Sequence, residues 1–187
     1  MIYIVNGFPG SGKTTFEKYV KLLVKDNIAV YTMSTIDIVK HIATGLGWDG
    51  VKTAADRKFL SNLKDVLTDW KDLPFENISE RIRSVILCFS NPSEFIIFVD
   101  CREPIEIQKL CERFNAKSLL IRRPMVEQLT YSNHADAEVL NYHYDITIDN
   151  DGDLGNLASA ALNFLNTEGF KTKEDVEIDL FGKVVYM

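Results

Sequence analysis

GFPGSGKT, residues 7–14, has glycine at positions 7 and 12 and the pair Lys13–Thr14, filling the pattern GxxxxGK[ST]. The short apolar run IYIVN (2–6) precedes it, and a helical pattern from about Thr14 to Lys25 follows. Strand, glycine-rich turn and helix in that order make a phosphate cradle. The glycines let backbone N–H groups turn inward, and the helix N-terminus adds its partial positive charge at the same place. Gly7, Pro9, Gly10, Ser11, Gly12, Lys13, Thr14 and Thr15 are therefore the candidate phosphate-holding residues. Lys13 is expected on the β- and γ-phosphates, and the Thr14 hydroxyl on Mg²⁺. ATP and Mg²⁺ are the cofactors this loop implies.

Outward from the loop, short apolar runs alternate with helical patterns. AVYTM (29–33), FIIFVD (95–100), SLLIRR (118–123) and YDITID (144–149) read as further strands. FIIFVD is continuously apolar up to its aspartate, as a strand covered on both faces should be. Helices are expected over 36–46, with Ser34 or Thr35 as cap, and over 53–71, where Phe59, Leu60, Leu63, Val66, Leu67 and Trp70 recur at helical spacing. Others are expected over about 77–90, 102–114 and 153–166. The tail VEIDLFGKVVYM reads as a hairpin (about 175–187) turning at Gly182. Strand alternating with helix predicts an α/β fold with a parallel sheet, in a single domain spanning 1–187.

Composition narrows the function. The chain has 187 residues, is 46% hydrophobic and 26% charged, and carries a net charge of −6. That charge argues against a nucleic-acid polymer as partner, which needs a basic face, but permits a local pocket for a small anion. Cys88, Cys101 and Cys111 lie in or beside apolar stretches and read as small buried hydrophobes in a reducing compartment. No apolar run is long enough to span a bilayer, and the N-terminus has no positive leader region, so a cytoplasmic location is expected.

The DxxG and NKxD signals of regulatory GTPases do not occur. The size, the tight GFPGSGKTT loop and the short α/β pattern instead resemble the nucleoside monophosphate kinase group of P-loop kinases. That resemblance implies a three-layer P-loop kinase fold with a five-stranded parallel sheet, an acceptor-binding insertion over about 35–72, and a short lid over about 123–140. STIDIVK (34–40) is similar to the adenylate-kinase segment STGDMLR. It implies Thr35, Asp37 and Lys40 as acceptor-binding residues, with Ile36 in place of a glycine and Lys40 in place of an arginine. FVDCREP (98–104) falls where those kinases carry DGFPR. It makes Asp100 the candidate for orienting Mg²⁺ and Arg102 a candidate grip on the acceptor phosphate.

The set GWDG (47–50), DRKFL (56–60), CREP (101–104), LLIRR, SNHAD (132–136) and YDITIDNDG (144–152) looks closest to phage-type deoxynucleoside monophosphate kinases, over roughly residues 1–165. For a phage-encoded protein the location would be the host cytoplasm. The resemblance places Arg57 and Lys64 toward the acceptor and Arg122 or Arg123 on the transferring phosphoryl group. Adjacent residues of a strand point to opposite faces, so one of the two arginines is expected there, with Arg123 favoured by its position at the strand exit. Asn150 is similar to a residue whose loop packs on the adenine base, although turn chemistry explains Asn-Asp-Gly equally well. His134 reads as a loop or packing residue.

The expected function is ATP-dependent phosphorylation of a nucleoside or deoxynucleoside monophosphate. Alternatives are a dephospho-CoA kinase, with Asp37 as base toward a ribose hydroxyl, and a non-catalytic regulatory nucleotide-binding protein. The expected partner is a small nucleotide acceptor, with no membrane. The oligomeric state is open, a homodimer being one option.

Overall fold

All five residues of β1 (Ile2–Asn6) are buried, which explains why the strand reads as a continuous apolar run and not an alternating one. A computed structural model describes residues 1–127, 138–174, 176–178 and 182–186. It divides into two compact units, Met1–Thr32 with Phe89–Met187, and Met33–Cys88.

The larger unit is built on a five-stranded parallel sheet in the order β2–β3–β1–β4–β5. Here β2 is Ala29–Ser34, β3 Phe95–Asp100, β4 Lys117–Arg122 and β5 Ile146–Asp149. Central β1 pairs Val5 with Asp100 of β3 on one side and Asn6 with Leu120 of β4 on the other. Next out, Arg122 pairs with Asp149 of β5. In a parallel sheet the carboxyl ends of the strands share one rim, where ligands of α/β folds bind.

Helices cover both faces. Helix α1 (Lys13–Leu23) packs on α7 (Leu154–Thr167) over one face, where Tyr3, Val5, Phe16, Val20, Phe98, Leu119, Leu157 and Phe164 form the main core. Tyr3, Phe16 and Phe98 surround Phe164, with edge-to-face centroid separations of 5.0 Å (Tyr3) and 5.4 Å (Phe16). On the other face α5 (Pro104–Phe114), with Ile107 and Leu110 fully buried, packs on β1 and β4. After β4 comes one helical turn, α6 (Pro124–Glu127). The C-terminal hairpin forms as expected from β6 (Val176–Ile178) and antiparallel β7 (Val184–Tyr186).

The smaller unit is helical: α2 (Asp37–Gly45), α3 (Ala54–Lys71) and α4 (Leu73–Ile86). Val39, Ala43, Leu60 and Leu67 make its core, with Trp48 and Leu63 packed against them. Helix α3 starts in a capping box between Thr53 and Asp56. The helix expected over 77–90 lies instead at 73–86. Asp72 takes a left-handed conformation that ends α3, and Pro74 sits in the first turn of α4, where proline is tolerated. Neither Ser34 nor Thr35 caps α2, whose start has no side-chain cap; instead the Ser34 amide donates to Asp37 Oδ2 at 3.0 Å.

The three cysteines are free. Cys101 is buried, as expected, and Cys111 half-buried, but Cys88 is exposed because α4 has already ended and its apolar neighbour Leu87 also faces solvent. Among the described residues no helix is long and apolar enough to cross a membrane. Most of the expected lid, including His134, lies outside the described residues.

Candidate active site

The loop between β1 and α1 turns on glycine. Gly7 has φ +146, and a Cβ there would collide with the Ile121 carbonyl oxygen of β4. Gly12, the N-cap of α1, has φ +102, and a Cβ would run into the Asn150 side chain. Both positions thus need glycine for conformation and for space. The Gly7 amide donates to Asn6 Oδ1 (2.8 Å) and the Ser11 amide to the Phe8 carbonyl (3.0 Å), closing the loop. Lys13 bends back over it, donating from Nζ to the carbonyls of Gly7 (2.6 Å) and Phe8 (3.1 Å). Its ammonium therefore sits at the loop, where phosphate oxygens can replace those carbonyls. Gly10 and Thr14 are exposed, Pro9 and Thr15 half-buried and Ser11 fully buried.

Asn150 supports this loop from beneath. It is 5% exposed, its amide Nδ2 donates to the Ser11 carbonyl at 2.8 Å, and its backbone N–H donates to the Arg122 carbonyl at 2.7 Å. Asn6 does similar work on the other side: its Nδ2 donates to the Arg102 carbonyl (3.2 Å) and the Tyr144 hydroxyl (2.7 Å). That hydroxyl donates on to the Val139 carbonyl at 2.8 Å. Arg102 is thereby tied by its backbone to the strand end, and its side chain is half-buried.

Asp100 ends β3 beside Val5. Phe98, two residues earlier, meets Phe16 of α1 at 6.2 Å between ring centroids. Residues two apart in a strand share a face, so Asp100 projects toward α1 as well. Facing it is Glu17, one helical turn beyond Lys13 and only 5% exposed. Burial, then the neighbouring Asp100, push the Glu17 carboxyl up to about 8, with Lys13 acting in the opposite direction. Glu17 Oε1 is buried and has no hydrogen-bond partner among the described residues. Sequence reading missed Glu17, since a charged residue inside a helix ordinarily reads as solvated.

The two arginines at the end of β4 differ. Arg122 donates from Nε and Nη2 to both carboxylate oxygens of Glu127, at 3.0 Å each, in a bidentate pair within one turn of chain. The Arg123 carbonyl accepts from the Val126 and Glu127 amides of α6, and its side chain is half-buried.

In the smaller unit Thr35 is buried, and Asp37 is a hub. Asp37 Oδ2 accepts from Arg81 Nη1 of α4 at 2.9 Å and from the Ser34 amide, while Lys40 Nζ lies 4.0 Å from Oδ1. Two cations thus converge on one carboxylate. Arg81 was not legible in the sequence because it lies 44 residues from Asp37. Arg57 is exposed on α3, with Nε donating to the Lys52 carbonyl at 3.4 Å, and Lys64 is half-buried on the same helix. The structure therefore groups Asp37, Lys40 and Arg81, while Arg57 lies exposed on α3.

The residues of the larger unit fit a hard divalent cation. Thr14 and Asp100 offer oxygen donors, and the buried Glu17 Oε1 has no hydrogen-bond partner among the described residues.

No protein-family model matches the chain, and no curated protein is similar to it. Solved structures that resemble it include an APS kinase of Mycobacterium tuberculosis (16% identity, TM-score 0.45), covering 88% of this chain and 96% of that one. A shikimate kinase from Aquifex aeolicus has 16% identity and TM-score 0.46, covering 90% and 98%. A sugar kinase from Janibacter has 18% identity and TM-score 0.49, covering 88% and 94%. Likeness at this level assigns neither substrate nor reaction.

Proposed function

We propose that the protein transfers the γ-phosphoryl group of ATP to the phosphate of a nucleoside or deoxynucleoside monophosphate. The observation that carries the reading is the formed phosphate loop, with the Lys13 ammonium held 2.6 Å from the Gly7 carbonyl at the mouth of the α1 N-terminus. The loop amides and Lys13 grip the β- and γ-phosphates. Mg²⁺, held by Thr14 and Asp100, would neutralise charge on the phosphates. An acceptor phosphate oxygen attacks the γ-phosphorus, the bond to the β-bridging oxygen breaks, and ADP leaves. A phosphate oxygen is already anionic, so no general base is needed and the protein's work is positioning and charge.

The convergence of Lys40 and Arg81 on Asp37 favours an anionic acceptor. Phosphorylation of a ribose hydroxyl, as in dephospho-CoA, would instead ask Asp37 to act as base, and its Oδ2 is already engaged by Arg81 and the Ser34 amide, with the Lys40 ammonium 4.0 Å from Oδ1.

The loop reading is tested with Lys13→Ala. We expect a folded protein by circular dichroism with transfer reduced to background, and normal turnover by the folded variant would sink the assignment.

A further inference from the structure

Six large apolar residues recur along α3, and its own unit uses only half of them. Leu60 and Leu67 are buried in the core of the smaller unit, and Leu63 packs against them. Phe59, Val66 and Trp70 stay exposed, by 39%, 63% and 64%. We propose that this exposed face of α3 is where a second copy of the chain docks, α3 against α3 and antiparallel across a two-fold axis. The inference stands apart from the nucleotide reading above.

The spacing defines a seam. Phe59, Leu63, Val66 and Trp70 follow one another at intervals of four, three and four residues, the alternation along which two helices pair. At 3.6 residues per turn, Phe59, Val66 and Trp70 fall within about 40° of one line along the helix. Single exposed apolar residues are ordinary, but a continuous stripe with aromatic residues at both ends is what interfaces carry.

Charge says what covers it. On the flank of the seam turned away from the core stand Lys58, in the N-terminal half of α3, and Asp65 and Asp69, in its C-terminal half. All three are exposed and make no ion pair among the described residues. Turned end over end against its own copy, α3 brings Lys58 of one chain toward Asp69 of the other, and symmetry makes the match twice. A parallel pairing would set like charges beside each other, which costs association. Helices that lie on anionic membranes carry cationic flanks instead, and two aspartates beside the stripe oppose that use. One helix thus supplies both halves of the match.

An interface centred on one helix pair is small, so association of the full chain is followed by sedimentation equilibrium over roughly 1–200 µM. The wild-type chain is expected to show a concentration-dependent dimer. Trp70→Glu should weaken it by on the order of 100-fold, since each dimer loses two anchors. Val66→Glu tests the same stripe at a second exposed position, and circular dichroism checks that both variants keep their helices. Lys58→Glu and Asp69→Lys should each weaken the dimer by roughly fivefold, the scale of exposed ion pairs, and the double variant should recover most of the loss. A wild-type chain that stays monomeric throughout overturns the proposal, as do folded stripe variants that dimerise like wild type. A double charge variant weaker than either single one overturns the antiparallel pairing.

Discussion

Arg122 commits the Nε–Nη2 edge of its guanidinium to both carboxylate oxygens of Glu127, while among the described residues its neighbour Arg123 makes no such pair at the strand exit. If Arg123 stabilises charge on the transferring phosphoryl group, Arg123→Ala should lower kcat by roughly 10²–10³ with Tm unchanged. Arg122→Ala should instead cost about 1 kcal/mol of stability or less and leave kcat near wild type. Steady-state kinetics beside thermal melts check both, and the reverse pattern would assign the roles the other way. Lys40 belongs to the same scale: Lys40→Met should raise the acceptor KM with ATP binding little changed, and an unchanged acceptor KM removes Lys40 from the site. Residues of the phosphate loop were legible in the sequence because their meaning lies in spacing within eight positions. Glu17 and Arg81 were not, because each takes its meaning from a carboxylate distant in the chain, Asp100 and Asp37.

At the scale of elements, β5 is held to β4 by a side chain as well as by its ladder. Asp145 Oδ2 accepts from both the amide and the hydroxyl of Ser118, at 2.7 Å each. Those two hydrogen bonds, the hydroxyl's first, hold the Asp145 carboxyl below its ordinary 3.8. A carboxyl lowered in the folded state stabilises it above the unfolded value, and that contribution is lost as pH falls below it. Asp145→Asn should therefore destabilise by about 1 kcal/mol at neutral pH. The difference from wild type should shrink as pH is lowered through 3.8, and a difference independent of pH would contradict the account. The types of β1–β5, α1–α5 and α7 were readable because short continuous apolar runs differ from longer helical spacing, whereas the single turn α6 was not expected. Boundaries were less so at α4, where the signal was set by the left-handed Asp72 and the tolerated Pro74 and not by apolar spacing.

For the whole molecule, topology does what no single motif can. The order β2–β3–β1–β4–β5 brings the ends of β1, β3, β4 and β5 to one rim, so that Asn6, Asp100, Arg122 and Asp149 become neighbours despite wide separation in the chain. On the proposed reading, a chain of net charge −6 thus concentrates Lys13 and Arg123 at this rim to meet phosphates. The acceptor is the part the sequence and fold state least directly, since base and sugar are chosen by a few hydrogen bonds. The most direct measurement follows the γ-phosphoryl group itself. ATP labelled at that phosphate is incubated with the protein, Mg²⁺ and, separately, each nucleoside monophosphate, each deoxynucleoside monophosphate and dephospho-CoA, and the products are separated by chromatography. The account predicts label on the β-phosphate of one or more nucleoside diphosphates. Label found only in inorganic phosphate, or only on the ribose of dephospho-CoA, would contradict it.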